Sequence, residues 1–343
     1  MRIISMVIVQ CVLVFLISAC NNINNFADNS DDKIVFMAGY KPQANLPFAV
    51  AYVAKEKGFF EEQNLDVEIL HANTGEHLQM LMVGEVDYTT AAAESVLKRR
   101  SSVEPEIPIV ALALFGQNSQ QSYVALEESN IKTPKDWEGR TFGYKISVPP
   151  NYLAILDAND VNRNQINEVR VGFDPRVLTE GKVDILAVFK SNEPNTLRKL
   201  GFGIVEWSSD EYEIPGMGLT YITTQETVDS KKDVTRRFLT ATMKSLYYVI
   251  DNPEEALGIV MEYAPNADRE HQRFMLNTEI ADSFGPITDL KGLGSMADYQ
   301  WKELYEHLLD HNVLNAPFDY TNAFTTEFLE DIYKTTEFKQ NLR

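Results

Sequence analysis

Short apolar segments with strand-like patterns alternate along most of this chain with segments whose apolar residues recur at helical spacing. Residues 33–38 predict a first strand, residues 48–57 a helix closed by Gly58, and residues 65–70 a second strand. The alternation continues through a helix ending near residue 83, a strand at 86–90, a helix at 91–100 and a buried strand at 107–115. Parallel strands need long crossover connections, usually helices, so this order predicts an α/β fold.

The middle of the chain repeats the pattern in a weaker form, and the end is mostly helical. Strands are predicted at 124–126, 140–144, 169–172, 183–189 and 218–223, and helices dominate from residue 234 onward. Two α/β segments followed by a helical tail suggest two lobes, the second inserted into the first. We predict lobe 1 at 33–125 plus 220–343 and lobe 2 at 126–219. Ligands of open α/β sheets bind at the carboxyl ends of strands, and clefts between domains also attract small ligands.

The N-terminus has the pattern of an export signal. Arg2 precedes an apolar run at 3–17, and the small residues of 18–19 lead into Cys20. This ending resembles a bacterial lipobox, in which Cys20 would be lipidated after removal of residues 1–19, and the polar residues 20–32 would form a flexible tether. The alternative is a plain signal peptide or a short membrane anchor, although the run is shorter than the ~20 residues of a spanning helix. We therefore expect a domain held by lipid at the extracytoplasmic face of a bacterial cell membrane.

Charge and cysteine content exclude several classes of function. The formal net charge of −19 argues against nucleic-acid binding, which needs clustered Lys and Arg, and against an electrostatic hold on anionic lipid. The cysteines are Cys11 and Cys20, both at the N-terminus. A disulfide framework, thiolate catalysis, iron–sulfur clusters and zinc–thiolate sites are therefore not expected.

An ordered set of motifs resembles one superfamily, the sulfonate-binding and thiamine-pyrimidine-synthase-like proteins. The matching segments are GYKP at 39–42, FAVAYVAKEKGFF at 48–60, LDVE at 65–68, VGEVD at 83–87, IKTPKDWEGRTFGY at 131–144, DNPEEA at 251–256, and 318–329. Together they span nearly all of residues 33–335. The resemblance implies a type II periplasmic-binding-protein fold, in which two lobes joined by two crossovers close on a ligand. It also implies a monomeric, lipid-anchored substrate-binding protein that works with the permease and ATPase subunits of an ABC importer.

Glu193 is the first candidate for ligand recognition. It lies in the segment VFKSNEP at 188–194. This segment resembles the position at which pyrimidine-binding members of the superfamily carry a glutamate. A carboxylate there could accept hydrogen bonds from the exocyclic amine and a protonated ring nitrogen of a 4-aminopyrimidine. The alternative is a surface carboxylate in front of a helix that starts at Pro194.

The supply of aromatic residues fits a flat ligand. Rings that lie on or next to predicted post-strand loops are those of Tyr40, Phe48, Phe115, Tyr144, Phe173 and Phe189. Each ring taken alone could instead belong to a core, and we expect two or three of the set to line the cleft, where offset stacking stabilises a flat ligand. Tyr40 is the first choice, because the resemblance implies an aromatic residue in the first loop that faces the ligand.

The polar candidates are more dispersed. Glu76 and His77 lie at a predicted helix start, where backbone N–H groups can hold a ligand oxygen, and the resemblance implies a catalytic histidine nearby in enzymatic relatives. A capping or solvated histidine is the alternative. Further ligand-binding candidates are Gln43, Asn45, Glu94, Gln117, Asp174 and Asn192. The histidines of the tail, His271, His307 and His311, are assigned neither a metal nor a catalytic role.

The sequence favours a binding protein over an enzyme. The yeast-type synthases of this superfamily use iron-dependent chemistry associated with a cysteine-rich motif, and the corresponding segment here, IPGMGLT at 214–220, contains no cysteine. No cofactor or metal is therefore expected. Three functions remain open: a receptor for a thiamine pyrimidine precursor of the hydroxymethyl- or formylaminopyrimidine type, the same role for riboflavin or a sulfonate such as taurine, and a thiamine-pyrimidine synthase.

Overall fold

The structure, a computed structural model, describes residues 31–73, 75–145, 147–335 and 338. The predicted signal at 1–19, Cys20 and most of the predicted tether lie outside the described residues. Within the described part the strands form two five-stranded sheets. The first sheet contains β1 (Asp32–Ala38), β2 (Leu65–His71), β3 (Tyr88–Ala92), β4 (Ile109–Leu114) and β10 (Leu219–Thr224). The second sheet contains β5 (Gln121–Leu126), β6 (Thr141–Tyr144), β7 (Asn167–Arg170), β8 (Ile185–Phe189) and β9 (Ile204–Ser208).

The two sheets share one strand order. The first reads β2-β1-β3-β10-β4 and the second β7-β6-β8-β5-β9. In each, three neighbouring strands are parallel, and the fourth position is taken by a strand that runs antiparallel to both of its neighbours. That fourth strand is the first one after a crossover between the sheets. The predicted α/β fold is confirmed, and its two five-stranded sheets share a common plan.

Helices connect the parallel strands and form the tail. Between the strands lie α1 (Leu46–Glu56), α2 (His77–Met82), α3 (Ala93–Arg100), α4 (Pro150–Ala158), α5 (Arg176–Thr179) and α6 (Glu193–Lys199). After β10 follow α7 (Gln225–Ser230), α8 (Lys232–Asp251), α9 (Pro253–Tyr263), α10 (Arg269–Asp282), α11 (Pro286–Lys291), α12 (Asp298–Asp310) and α13 (Glu327–Ile332). Several begin with a recognisable signal, such as a proline in the first turn of α1 and α9. Among the described residues no helix is both long enough and apolar enough to cross a membrane.

The tail helices cover the first sheet and leave the second with a smaller core. On one face of the first sheet, Phe238 of α8 stacks on Tyr88 with ring centroids 4.2 Å apart. On its other side Trp301 of α12 is fully buried. The core of the second sheet is aromatic, and Phe142 stacks on Tyr152 at 3.9 Å. Burial of such rings contributes to the stability of each part.

The two crossovers run side by side. The chain leaves the first sheet after Leu114 and returns to it at Leu219, and the backbone N–H of Gly218 donates to the carbonyl oxygen of Gly116 at 2.9 Å. A Cβ added to Gly218 would lie 2.9 Å from the Cα of Gly116, so the close approach requires glycine there. This contact joins the two described segments that pass between the sheets and holds the two crossovers side by side.

Two details of the fold differ from the sequence expectations. The predicted lobe boundary lies after residue 125, whereas β5 (Gln121–Leu126) pairs with β8 and β9 of the second sheet. Its first residues are polar, so the apolar pattern alone places the start of this strand too late. The edge strand β9 is absent from the prediction, because its half-buried residues, Glu206 among them, do not form an apolar run.

Candidate functional site

The carboxyl ends of three neighbouring strands of the second sheet bring charged and aromatic side chains together. Lys145 directly follows β6, Phe173 lies in the loop after β7, and Phe189 ends β8. The segment after β8 turns into α6, whose first residue is Glu193. This placement follows from the parallel arrangement of β7, β6 and β8, which puts their carboxyl ends at one edge.

Lys145 and Glu193 form a buried ion pair at this edge. The Lys145 ammonium bonds to Oε1 of Glu193, and the side chains are only 10% and 4% exposed. The other carboxylate oxygen accepts a hydrogen bond from the backbone N–H of Phe189 at 2.8 Å. Burial excludes the alternative in which Glu193 is a surface carboxylate in front of a helix at Pro194.

Three aromatic rings surround the ion pair. The Lys145 Nζ atom lies 5.7 Å from the ring centroid of Phe173 and 5.3 Å from that of Phe189. Tyr40, from the loop after β1 of the first sheet, packs on Phe173 with centroids 5.9 Å apart. Burial, together with the negative charge of Glu193, raises the pKa of Tyr40. We call these five residues the aromatic site; both sheets contribute to it.

Two rings of the aromatic site are unusually open to solvent. Phe173 is 52% exposed and Phe189 is 40% exposed, whereas most other large rings among the described residues are buried or half-buried. Exposed apolar rings grouped around a charge that is itself buried are typical of a binding surface rather than of a core.

A second polar cluster, centred on Glu279 of α10, joins the two sheets beside the aromatic site. Its carboxylate accepts hydrogen bonds from the backbone N–H of Leu46 at 2.7 Å and from the side chains of Asn45 and Ser191 at 2.5 and 3.0 Å. Leu46 and Asn45 follow β1, whereas Ser191 follows β8. Burial raises the pKa of Glu279 to about 7, and the donated hydrogen bonds act in the opposite direction.

The candidates Gln43, Asn45 and Asn192 belong to this joining cluster. Gln43 donates to the Asn45 side chain at 2.5 Å, and the amide of Asn45 continues to Glu279. Asn192 contacts the ring of His271 at 2.9 Å. These side chains therefore already have protein partners, and they position the loops that flank the aromatic site.

His271, assigned no role on sequence grounds, bridges α10 and α6. Its two ring nitrogens contact Asn192 and Asn195, each at 2.9 Å. Burial, and to a smaller extent the charge of Lys199, lowers its pKa. The neutral ring can accept a hydrogen bond at one nitrogen and donate at the other, which is what two amide partners require.

His77 and Glu76 lie at the start of α2, behind the loop that carries Tyr40. A Cβ added to Gly39 would lie 3.2 Å from Nε2 of His77 and 2.8 Å from Oγ1 of Thr90, so the ring packs directly against the loop backbone. Burial, followed by the charge of Arg99, lowers the pKa of His77 to about 4. The solvated alternative is wrong, because His77 is 9% exposed. Glu76 accepts a hydrogen bond from the backbone N–H of Asn73 at 2.8 Å.

Glu94 occupies the first turn of α3, directly after β3. Burial raises its pKa, and the charge of Lys98 opposes this. The Glu94 charge contributes to the raised pKa of Tyr123, which places the carboxylate near the second sheet. The Tyr123 hydroxyl is buried and has no hydrogen-bond partner among the described residues. Glu94 thus interacts electrostatically with Tyr123 of the second sheet, and its contact with a ligand stays a prediction.

The remaining aromatic candidates are core residues. Phe48 and Phe115 are each 2% exposed and belong to the large core of the first sheet. Tyr144 is half-buried, and it packs against the core of the second sheet. Its ring centroid lies 6.4 Å from that of Phe142. Of the six rings singled out in the sequence, three therefore enter the aromatic site and three face a core.

The polar candidates Gln117 and Asp174 have local structural roles. Gln117 lies in the first crossover, donates to the carbonyl of Ser295 and accepts from Gln300, both at 3.1 Å. Asp174 is exposed and pairs with Arg176, whose hydrogen bonds lower the pKa of the Asp174 carboxyl to about 2. Within the described part of the chain, no hydrogen bond or ion pair joins either side chain to the five residues of the aromatic site.

Sequence reasoning missed Lys145, Glu279 and His271. Lys145 stands next to Tyr144 at the end of a predicted strand, so the same rule that selected Tyr144 could have selected it. No local pattern identifies Glu279 or His271, because both lie inside a long tail helix and their partners come from residues far away in sequence.

The strand order and the paired crossovers define a type II periplasmic-binding-protein fold. Residues 45–256 match the family model described as NMT1/THI5 like, and the chain belongs to this family. One relative is the formylaminopyrimidine-binding protein of Halalkalibacterium halodurans, 23% identical over 327 residues that cover 91% of this chain and 96% of the relative. Another is the riboflavin-binding protein RibY of Chloroflexus aurantiacus, 24% identical over 296 residues that cover 83% of each chain.

Solved structures share the fold. The chain is similar to a structure from Methylobacillus flagellatus described as the putative periplasmic sulfonate-binding protein SsuA of a sulfonate ABC transporter. The TM-score is 0.68 at 15% identity, over 92% of this chain and 96% of the other. The likeness to these proteins confirms the fold predicted from the ordered motifs.

Proposed function

We propose that this protein is the extracytoplasmic substrate-binding component of an ABC importer and that its ligand is a thiamine pyrimidine precursor. The observation that carries the proposal is the aromatic site, in which a buried carboxylate, Glu193, is surrounded by the rings of Tyr40, Phe173 and Phe189. The relative that binds formylaminopyrimidine supports the same ligand class.

The chemistry of an aminopyrimidine matches this arrangement. Its exocyclic amine can donate to Glu193, and a charge-assisted hydrogen bond of this kind is stronger than a neutral one. Its ring can stack against the exposed faces of Phe173 or Phe189, each such contact contributing about 0.5–1.5 kcal/mol beyond area burial. Because Tyr40 comes from the other sheet, a ligand held here would contact both sheets and favour their closed arrangement.

The transport role has further parts that remain proposals. We propose that the closed, ligand-bound form is recognised by a permease with its ATPase subunits, that the protein acts as a monomer, and that Cys20 carries the lipid anchor. In this scheme the protein performs no chemistry on its ligand. The cysteine-free segment at 214–220 supports binding rather than synthesis.

Riboflavin is the second candidate ligand. It is favoured by the relative named as a riboflavin-binding protein and by the several rings of the aromatic site, which suit a longer flat molecule. A sulfonate such as taurine is less well matched, because Glu193 would repel its charge, although Lys145 would attract it.

Thermal unfolding of residues 21–343 against a ligand panel tests the proposal. The panel contains hydroxymethyl- and formylaminomethyl-aminopyrimidines, thiamine, riboflavin, taurine and nitrate. A ligand present at ~100 times its Kd stabilises a protein by about 2.7 kcal/mol, which raises the unfolding midpoint visibly. We expect a shift with the aminopyrimidines. A shift with riboflavin or taurine alone would contradict the ligand and keep the binding role.

A separate assay distinguishes a binder from a synthase. The purified protein is incubated with pyridoxal phosphate, iron(II) and oxygen, and the mixture is examined for a pyrimidine product and for loss of histidine from the chain. We expect neither. Product formation that depends on His77 would instead establish an enzyme.

A further inference from the structure

The ion partner of Glu193 leads to an inference about ligand charge that rests on the proposed function. The site holds one positive and one negative side chain in contact, Lys145 and Glu193, both almost fully buried. Their charges cancel, so the site as a whole favours neither cations nor anions by net charge. It does, however, place a hydrogen-bond donor directly beside an acceptor.

Lys145 is held in this position by more than the ion pair. Its ammonium lies over the faces of Phe173 and Phe189, where the electron-rich rings attract a cation. Its backbone carbonyl accepts a hydrogen bond from Nε of Arg170 at 3.0 Å, which fixes the segment after β6 against β7. The ammonium therefore occupies the same ring-lined space that a ligand at Glu193 would enter.

We propose that Lys145 and Glu193 act as one donor–acceptor edge that selects a neutral heterocycle and excludes a cationic one. A 4-aminopyrimidine carries an amine donor next to a ring-nitrogen acceptor. Glu193 accepts from the amine, and Lys145 donates to the ring nitrogen. A ligand with a fixed positive charge, or with a protonated ring, brings its charge against the Lys145 ammonium, and the charged ring is a weaker acceptor at the nitrogen to which Lys145 donates.

Lys145 is thus a specificity-determining residue, and the cost of a buried charge explains why it pairs with Glu193. A buried carboxylate without a partner is costly, and the ammonium provides that partner. Ligand entry then exchanges part of this ion pair for bonds to the ligand. Net affinity depends on how completely the ligand replaces both partners.

The test measures binding by calorimetry for the wild type, Lys145→Met and the control Lys41→Met. Lys41 lies over the ring of Tyr40 at 5.6 Å and has no bond to Glu193, so its substitution removes a nearby positive charge without removing the proposed donor. The ligands are 4-amino-5-hydroxymethyl-2-methylpyrimidine and its N1-methylated, permanently cationic counterpart, which is nearly the same size. Affinity for the neutral compound is also followed from pH 8 down through the titration of its ring nitrogen.

We expect the wild type to prefer the neutral ligand by at least tenfold and to bind it more weakly as the ring becomes protonated. In Lys145→Met the preference should shrink or invert, and the pH trend should reverse, because the positive charge of a protonated ring spreads onto its amine and strengthens the hydrogen bond to Glu193. Lys41→Met should keep both wild-type trends. Lys145→Gln serves as a second variant if the Met variant has a lowered unfolding midpoint.

The outcomes separate the two proposals. If the wild type binds the neutral pyrimidine and Lys145→Met keeps the same selectivity and the same pH trend, the inference about Lys145 is wrong and the proposed function stands. If the wild type binds no aminopyrimidine, the proposed function is wrong, and this inference is overturned with it.

Discussion

The sequence Gly-Tyr-Lys occurs at corresponding positions in the two sheets, but its side chains have different roles in each. β1 and β6 hold the same position in the strand order, and each is followed or ended by this sequence, at 39–41 and 143–145. In the first sheet the tyrosine, Tyr40, enters the aromatic site and Lys41 lies over its ring. In the second sheet Tyr144 packs toward the core, and the lysine, Lys145, enters the site.

The difference arises from where each strand ends. β1 ends at Ala38, so Tyr40 is already in the loop. β6 continues through Tyr144, so alternation along the strand puts Tyr144 on the same face as Phe142, toward the core. Local sequence identity therefore does not fix the role of a side chain; its register relative to the end of the strand does.

A matching comparison involves two glutamates. Glu94 and Glu193 each lie in the first turn of the helix that follows the third strand of their sheet, β3 and β8. Glu193 has an ammonium partner, Lys145. Glu94 has no ion pair or hydrogen bond within the described residues, and burial raises its pKa. One carboxylate thus has a cationic partner in direct contact, and the other has none within the described residues.

The largest expected effect separates these glutamates. Glu193→Gln should weaken aminopyrimidine binding at least tenfold, because it replaces a charge-assisted hydrogen bond by a neutral one. It also leaves the Lys145 ammonium without its ion partner, and breaking a buried pair from one side typically costs about 3–5 kcal/mol. Calorimetric titration and denaturant unfolding measure the two losses. Glu94→Gln is the matched control, and an equal loss of affinity there would mean that the two positions are equivalent after all.

Substitution of Tyr144 should lower the stability of the protein, whereas substitution of Tyr40 should lower its affinity for the ligand. Tyr144→Ala removes a ring from the core of the second sheet, and we expect the free energy of unfolding to fall by about 2 kcal/mol, less than for a fully buried ring. Tyr40→Ala should lower affinity by roughly two- to tenfold, the value of one stacking contact, with little change in unfolding. Both quantities are measured for both variants. A stability loss in Tyr40→Ala as large as that in Tyr144→Ala would make Tyr40 a core residue.

A smaller effect concerns the pH dependence of stability. The pKa of Glu94 is raised in the folded protein, so the folded state binds more protons than the unfolded state between the two pKa values. The contribution of Glu94 to the free energy of unfolding is therefore present at low pH, and it is lost as the pH rises through the folded-state pKa. We expect Glu94→Gln to be more stable relative to the wild type at pH 8 than at pH 4. Denaturant unfolding at both values checks this, and a parallel pH profile would show that Glu94 does not titrate abnormally.

The sequence predicts most of the fold because its signals are local. Apolar periodicity, prolines at helix starts and glycines at helix ends depend on neighbours along the chain, and they place nearly every strand and helix close to its observed position. The edge strand β9 and the start of β5 fall outside this rule, because pairing with β8 and with each other, rather than local pattern, makes them strands.

The candidate site is predicted less completely, for the same physical reason. Glu193, Tyr40, Phe173 and Phe189 follow strands and could be found from their position in sequence. Whether a post-strand ring faces solvent or a core depends on register, as Tyr144 shows. The contacts of Glu279 and His271 depend on how a tail helix packs across both sheets, which no local pattern encodes.

The position of Glu279 late in the chain has a consequence for the order of events during folding. The strands of both sheets precede the end of β10 at Thr224, whereas the carboxylate that ties the loop after β1 to the loop after β8 arrives only with α10. A growing polypeptide can thus contain every strand of both sheets before it contains the residue that ties their loops together. Ligand binding should therefore be the last property to appear. During refolding, recovery of ligand binding should lag behind recovery of the far-ultraviolet circular dichroism signal. Simultaneous recovery would show that the two sheets align without the tail.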